Sequence, residues 1–328
     1  MANAWRREKQ PQFLSSRFLL LLFSSSLLLL IFYFVSLRPS SSPSPDAPTV
    51  TTTLATKSRF SSPAISPFDC FASPQAHPVI ANVVEGVKHP FLYSLSDFGS
   101  LPDKPHKNIV RTLKGKAFRR PDISVTVQEL LEGFRSEGRD GIFVDVGANV
   151  GMASFAAAAM GFRVLAFEPV FENLQRICDG IWMNRVGELM DLFAAAASDR
   201  AGNITFHKLV GRLDNSAVSS AGAKLAFKSN EEIELQVRSI PLDEVIPESE
   251  PVLLIKIDVQ GWEHHVLKGA VKLLSREAGK APYLIYEEDE RLLQASNSSS
   301  KGIREFLHSV GYHHCTQHGT DAHCTKNG

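Results

Sequence analysis

The chain has 328 residues, 44% of them hydrophobic and 21% charged, an ordinary globular balance with room for one large core or two modest ones. Lys and Arg number 35 and Asp and Glu number 35, so no global field draws nucleic acid or a polyacidic partner, and no nucleic-acid partner is expected.

In chain order, residues 1–17 carry Arg6, Arg7, Lys9 and Arg17, and residues 18–37 (FLLLLFSSSLLLLIFYFVSL) carry no charge. A helix of that length, at about 1.5 Å per residue, matches a hydrocarbon core of about 30 Å and is read as a transmembrane signal anchor. The alternative, a cleaved signal peptide, has a shorter apolar run and needs a small-x-small site that Leu37-Arg38-Pro39 does not offer. The basic flank keeps the tail cytosolic and sends the remainder into the lumen, a single-pass type II arrangement in the Golgi or another endomembrane. Residues 38–67 are rich in Pro, Ser and Thr and form a disordered stem. Residues 68–108 show no clear periodicity and are expected to be an irregular cover, with the folded domain at 109–328.

Within that domain the pattern alternates. A short helix at 127–134 precedes a buried strand at 142–146; a helix at 152–160, a strand at 163–167, a helix at 171–184 and a strand at 190–197 follow. Residues 204–239 read as β-hairpins with a polar loop at 211–215; then come a strand at 252–259, a helix at 262–275, a strand at 282–287 and a helix at 303–310. This alternation predicts an α/β fold, a Rossmann-like doubly wound and mostly parallel sheet.

Four cysteines, Cys70, Cys178, Cys315 and Cys324, allow three pairings. Cys315 with Cys324 is the expected bridge, around a short polar loop, while Cys178 on an amphipathic helix is expected to be buried and free. His313, His314, His318 and His323 match no common zinc spacing, so no metal is expected. Asn203-Ile-Thr205 and Asn297-Ser-Ser299 are glycosylation sequons, usable if the domain is lumenal.

Asp145-Val-Gly-Ala-Asn-Val-Gly151 joins the first strand of the domain to its helix, where backbone N–H groups and a helix N-terminus can meet an anionic or amino-acid group. Gly147 and Gly151 allow close backbone approach, Asp145 can hold the loop, and Asn149 stands where a dinucleotide fingerprint needs glycine. The loop therefore suits a nucleoside linked to an amino acid better than a pyrophosphate. Glu168, 17 residues after Gly151, closes the second strand where an acid can accept ribose hydroxyls, and Pro169 turns the chain away. Taken alone, the glycine loop reads equally well as a simple strand-turn-helix junction.

DVGANVG followed by Ala166-Phe-Glu-Pro169 resembles the FkbM-type family of class I methyltransferases. Ala196-Ala-Ser-Asp199, Gly202-Asn-Ile-Thr-Phe206, Ile240-Pro-Leu-Asp243, Ile255-Lys-Ile-Asp-Val-Gln-Gly-Trp-Glu263 and Val266-Leu-Lys-Gly-Ala270 follow in the family's order, over roughly residues 109–312. The resemblance implies S-adenosylmethionine as cofactor, held by Asp145, Gly147, Ala148, Asn149, Gly151 and Glu168, with Ser198 and Asp199 toward the adenine. One departure is Gln260, where many members carry Glu.

Methyl transfer to a hydroxyl needs a base within reach of that oxygen. Asp258, at the end of the fourth strand, is the candidate; its alternative role is to cap the following helix. Glu263 and Glu287 are weaker candidates, Glu263 being equally explained by the helix dipole. The three carboxylates offer no clearly matching metal-ligand set. Lys256 alternates with Asp258 and could pair with it, and His264 and His265 are alternative bases. The expected activity is O-methylation of a lumenal acceptor, a glycan or a small molecule. The competing readings are a non-catalytic membrane-tethered protein of this fold and a NAD-type oxidoreductase, which lacks its G-x-G-x-x-G here.

Overall fold

The computed structural model describes residues 60, 65–73, 78–95, 99–100, 104–105, 110, 114–115, 122–210, 216–219, 222–223 and 231–326. The expected cytosolic tail, the anchor at 18–37, most of the stem and the polar loop at 211–215 lie outside these residues. No helix among the described residues is long and apolar enough to cross a membrane.

A hairpin of β1 (Ala81–Val84) and β2 (Phe91–Ser94) comes first, followed by α1 (Asp122–Ser136). The doubly wound part runs β3 (Ile142–Val146), α2 (Met152–Ala158), β4 (Val164–Phe167), α3 (Phe171–Asn184) and β5 (Met190–Phe193). A side sheet follows, of β6 (Ala196–Ala197), β7 (Gly202–Leu209) and β8 (Glu232–Ile240), and then the single turn α4 (Leu242–Val245). The chain returns as β9 (Val252–Ile257), α5 (Glu263–Lys268), α6 (Val271–Leu274), β10 (Tyr283–Glu287), α7 (Glu290–Ala295) and α8 (Ser300–Ser309). It ends in β11 (His314–His318) and β12 (Asp321–Thr325).

The main sheet has seven strands in the order β11-β12-β10-β9-β3-β4-β5. Five neighbours, β10, β9, β3, β4 and β5, are parallel, and β12 is antiparallel to both β10 and β11. Every residue of β3, β4 and β9 is buried, as both faces of a parallel sheet require. On one face Val144, Val146, Leu165, Phe167, Ile255 and Ile257 pack with Val266 and Leu267 of α5 and with Ile303 and Leu307 of α8. On the other, Phe143, Val164, Ala166 and Leu254 meet Val127 and Leu131 of α1, Phe155 of α2 and Ile177 of α3. From β3 the chain builds outward to β5 and then resumes at β9 on the opposite side of β3. The carboxyl ends of β3 and β9 therefore flank a topological switch point, where open α/β sheets bind ligands.

The segment after residue 68 is not wholly irregular: its β1–β2 hairpin is fastened to α3. Asn184 accepts from the Leu92 N–H and donates to the Leu92 carbonyl, at 2.8 and 2.7 Å. Ser94 donates to Asp179 at 2.8 Å, and Arg176 donates to the Pro78 carbonyl. Cys178 is buried as expected but not free; it is bonded to Cys70, 108 residues earlier, while Cys315 bonds Cys324 across β11 and β12. The polar stretch between those two cysteines is thus a strand pair.

A crosslink closing so long a loop restricts the unfolded chain strongly. Replacing Cys70 and Cys178 together by serine is expected to lower stability by about 2–4 kcal/mol, and the Cys315/Cys324 pair, with its short loop, to cost less. Urea unfolding of the two double variants checks this ordering; equal midpoints would contradict it.

Candidate active site

At the switch point the turns after β3 and β9 touch. Gly147 has φ +76°, and a Cβ there would lie 2.0 Å from the Asp258 carbonyl oxygen. Only glycine combines that left-handed backbone with that approach. Its N–H and that of Ala148 bond the Phe167 carbonyl, 3.0 Å each, tying the turn to the end of β4. Asn149 also has positive φ, 53°, a conformation asparagine tolerates. Gly151 (φ +85°) plays another part: it starts α2, and a Cβ on it would meet the Phe155 ring at 2.5 Å.

These turns open onto a cleft. Gly147, Asn149 and Glu168 line it beside Asp258, Gln260 and Trp262, and Val170, Asn173, Phe206 and the Ala195-Ala-Ala197 turn add a mostly apolar wall. Glu168 is only 4% exposed and accepts from the Asn149 N–H (2.8 Å), the Val170 N–H (2.9 Å) and Asn173 Nδ2 (3.2 Å). Burial nonetheless pushes its pKa up from the ordinary 4.5 to about 7, against those donors and the Lys256 charge.

Asp145 does not reach the cleft. It is fully buried, accepts from Ser154 at 2.6 Å and pairs with Lys256 at 3.1 Å across adjacent strands. Lys256 also donates to the Gly147 carbonyl at 2.7 Å, so this buried pair fixes the glycine turn from behind. The expected pairing of Lys256 with Asp258 is therefore corrected: Asp145, directly opposite in the register, takes the ammonium.

Asp258 lines the cleft and is exposed. It is not the cap of α5, because the Val259 and Gly261 N–H groups go to Glu263 Oε1 at 3.0 and 3.1 Å. Glu263 is 1% exposed and turned into this loop, so it holds the turn and does not face an acceptor; burial raises its pKa to about 7. Glu287 sits behind Gln260. Gln260 Nε2 donates to Asp258 Oδ1 (3.0 Å) and Glu287 Oε2 (3.1 Å), bridging two carboxyl groups. Burial, and then the Asp258 and Glu263 charges, push Glu287 up to about 9, which makes it a neutral acid near pH 7. Gln260, with φ +53°, thus separates Asp258 from a protonated neighbour.

Ser198 and Asp199 lie behind the cleft wall. Ser198 is buried and accepts from Trp262 Nε1 at 3.1 Å, and His265 stacks on Trp262 with centroids 3.7 Å apart while its Nδ1 lies 3.4 Å from Asp199 Oδ2. This cluster fixes the indole that lines the cleft. His264 packs near Phe306 instead. Among the described residues, the His, Cys, Asp and Glu side chains close enough to share an ion are His207, Glu232 and Glu234, on the side sheet and outside the cleft lining. The sequence reading missed Asn173, Phe206, Trp262 and the bridge made by Gln260. Asn173 carried a readable signal, a polar residue in the first turn of the helix that follows Glu168.

A nucleoside-bearing group fits this arrangement. Asn149 has a buried amide oxygen with no hydrogen-bond partner at the cleft, Glu168 offers a carboxylate beside it, and a Cβ at Gly147 would fill the space between the two turns. Fold and cleft together define a Rossmann-like α/β domain with its candidate ligand site at the strand switch point. The methyltransferase FkbM domain family matches residues 145–313, just over half of the sequence, and the chain belongs to that family. The family assignment supports the methyltransferase reading over the NAD-type oxidoreductase one.

No curated protein sequence matches the chain. Among solved structures it is similar to monomeric WbdD (13% identity, 66% of this chain, 44% of that chain, TM-score 0.38). It is also similar to the METTL16 MTase domain (13% identity, 66% of this chain, 74% of that chain, TM-score 0.37). A third is a putative RNA methyltransferase, PH1948, from Pyrococcus horikoshii (12% identity, 67% of this chain, 95% of that chain, TM-score 0.31). The chain spans less than half the length of WbdD, and the family assignment rests on the domain match.

Proposed function

We propose that this methyltransferase uses S-adenosylmethionine to methylate a hydroxyl of a lumenal acceptor, a glycan or a small molecule, with the domain tethered through residues 18–37. The observation that carries the reading is that Gly147, Asn149, Glu168 and Asp258 come from three separate strand ends into one cleft. Bound there, S-adenosylmethionine supplies an electrophilic methyl group on a sulfonium. Glu168 would accept the ribose hydroxyls and the Gly147–Asn149 turn would hold the amino-acid end, Asn149 Oδ1 taking the ammonium. Val170, Phe206 and Trp262 exclude water from the apolar wall. Asp258 takes the proton from the acceptor oxygen as the new bond forms, and Gln260 aims its carboxylate. Both disulfides support an oxidising compartment, in keeping with the type II topology expected from the basic N-terminal flank and a Golgi or other endomembrane location.

The test is transfer of labelled methyl from S-adenosylmethionine to a lumenal extract by the full-length chain, followed by chemical identification of the methylated atom. An alkali-stable ether methyl supports O-methylation of a hydroxyl; label on nitrogen or carbon contradicts it. Cofactor binding without transfer would favour the non-catalytic reading.

Glu168 also sets a pH dependence. Its pKa is raised in the folded state, so its stabilising contribution is present below about 4.5 and is lost as pH climbs through about 7. Ribose hydroxyls bond best to the ionised form, so cofactor affinity should rise through the same range and level off above it. Glu168→Gln sets an amide N–H₂ against the donors of Asn149, Val170 or Asn173, and should weaken binding roughly 10- to 100-fold and remove that pH slope. Dissociation constants measured from pH 5.5 to 8.5 (a range of about 3 units spanning the shifted pKa) check both; a flat wild-type profile would contradict the assignment.

A further inference from the structure

We propose that Asn297 carries an N-linked glycan, an inference that rests on the lumenal placement proposed above. All four cysteines of the chain are joined in two disulfides, an observation independent of the apolar N-terminal run, and such pairing belongs to compartments where oligosaccharide transfer also occurs. Two sequons are present, and the fold treats them differently. Asn203 lies within β7, opposite Arg238 of β8, and the Thr205 hydroxyl of that sequon accepts from Gln236 Nε2 at 2.9 Å. Asn297 stands in the turn between α7 and α8, exposed, with φ +55° and its backbone N–H bonded to the Gln294 carbonyl. The residue is thus accessible in a turn, as a surface sequon requires. Ser299, the hydroxyl residue of the sequon, caps α8 by accepting from the Gly302 N–H at 3.1 Å.

The modification adds an oligosaccharide from a polyprenyl diphosphate donor. Asn297 Nδ2 forms a bond to the anomeric carbon, the bond from that carbon to the diphosphate oxygen breaks, the diphosphate leaves with the electron pair, and one amide proton goes to a base of the transferring enzyme. The sugar would stand two residues from Ala295, whose carbonyl accepts from Ser219 at 2.7 Å. Ser219 follows Val218, which lines the cleft, so the turn that carries Asn297 is bonded to a segment bordering the cleft.

The experiment expresses the full-length chain in a eukaryotic secretory host and compares electrophoretic mobility before and after peptide N-glycosidase digestion. The variants are Asn297→Gln, Ser299→Ala and Ser299→Thr, each also made with a reporter Asn-Gly-Thr sequon appended after Gly328. Asn297→Gln and Ser299→Ala should each lose one glycan step, and Ser299→Thr, which keeps both sequon and cap, should retain it. A modified reporter with an Asn297→Gln chain that migrates like the wild type would overturn the proposal while leaving the lumenal placement intact. An unmodified reporter would overturn the lumenal placement and the glycan together.

Discussion

Gly147→Val is expected to abolish S-adenosylmethionine binding and to lower stability by about 2–4 kcal/mol. The position has φ +76°, which a β-branched residue adopts only under strain. The added Cβ would lie 2.0 Å from the Asp258 carbonyl oxygen, 3.0 Å from its carbon and 3.2 Å from Val259 Cγ1. Two of those three atoms are backbone and cannot rotate away. Relief requires the ends of β3 and β9 to separate, which also pulls the Gly147 carbonyl from Lys256 and moves Asp258 away from the cofactor loop. Gly147→Ala meets the same carbonyl, so it should lose most of the affinity as well. Calorimetric titration and urea unfolding check the pair; an alanine variant binding within threefold of the wild type would show that the two turns do not need this contact.

Asp258→Asn should reduce methyl transfer by about 10²- to 10⁴-fold while leaving cofactor affinity within a few-fold. Among the three carboxylates named from the sequence, Asp258 alone lines the cleft. Glu263 is committed to the Val259 and Gly261 N–H groups, and Glu287, its pKa raised by burial, accepts from Gln260 and does not line the cleft. An asparagine keeps the size of the side chain but cannot take a proton, so the loss falls on the chemical step and not on binding. Transfer of labelled methyl to a lumenal extract, measured beside the cofactor dissociation constant, separates the two. Unchanged transfer would move the base elsewhere; loss of cofactor binding in this variant would make Asp258 a binding residue.

The strand at 142–146 was legible because buried parallel strands carry continuous apolar runs, and the helix at 171–184 because its apolar residues recur at helical spacing; they coincide with Ile142–Val146 and Phe171–Asn184. The helix expected at 262–275 is two pieces, α5 and α6. Gly269 separates them, and a Cβ there would lie 1.9 Å from the Ser198 carbonyl, a tertiary approach with no local sign. The strand expected at 190–197 ends at Phe193, and Ala196 and Ala197 pair with β8 in the side sheet. At the C-terminus, β11 is mostly exposed and polar, so it shows no apolar alternation to read. In the site, the glycine turn and Glu168 announced themselves by residue type and spacing. What bonds them did not: the Asp145–Lys256 pair depends on the register between two strands over a hundred residues apart, and the partner of Cys178 lies in a segment without periodicity. Such long-range pairings leave no local pattern.

The most direct measurement is calorimetric titration of S-adenosylmethionine into the detergent-solubilised full-length chain, alongside Glu168→Gln and Gly147→Val. The account predicts single-site binding by the wild type, weakened by Glu168→Gln and absent in Gly147→Val. A folded wild-type chain that binds no S-adenosylmethionine would contradict it.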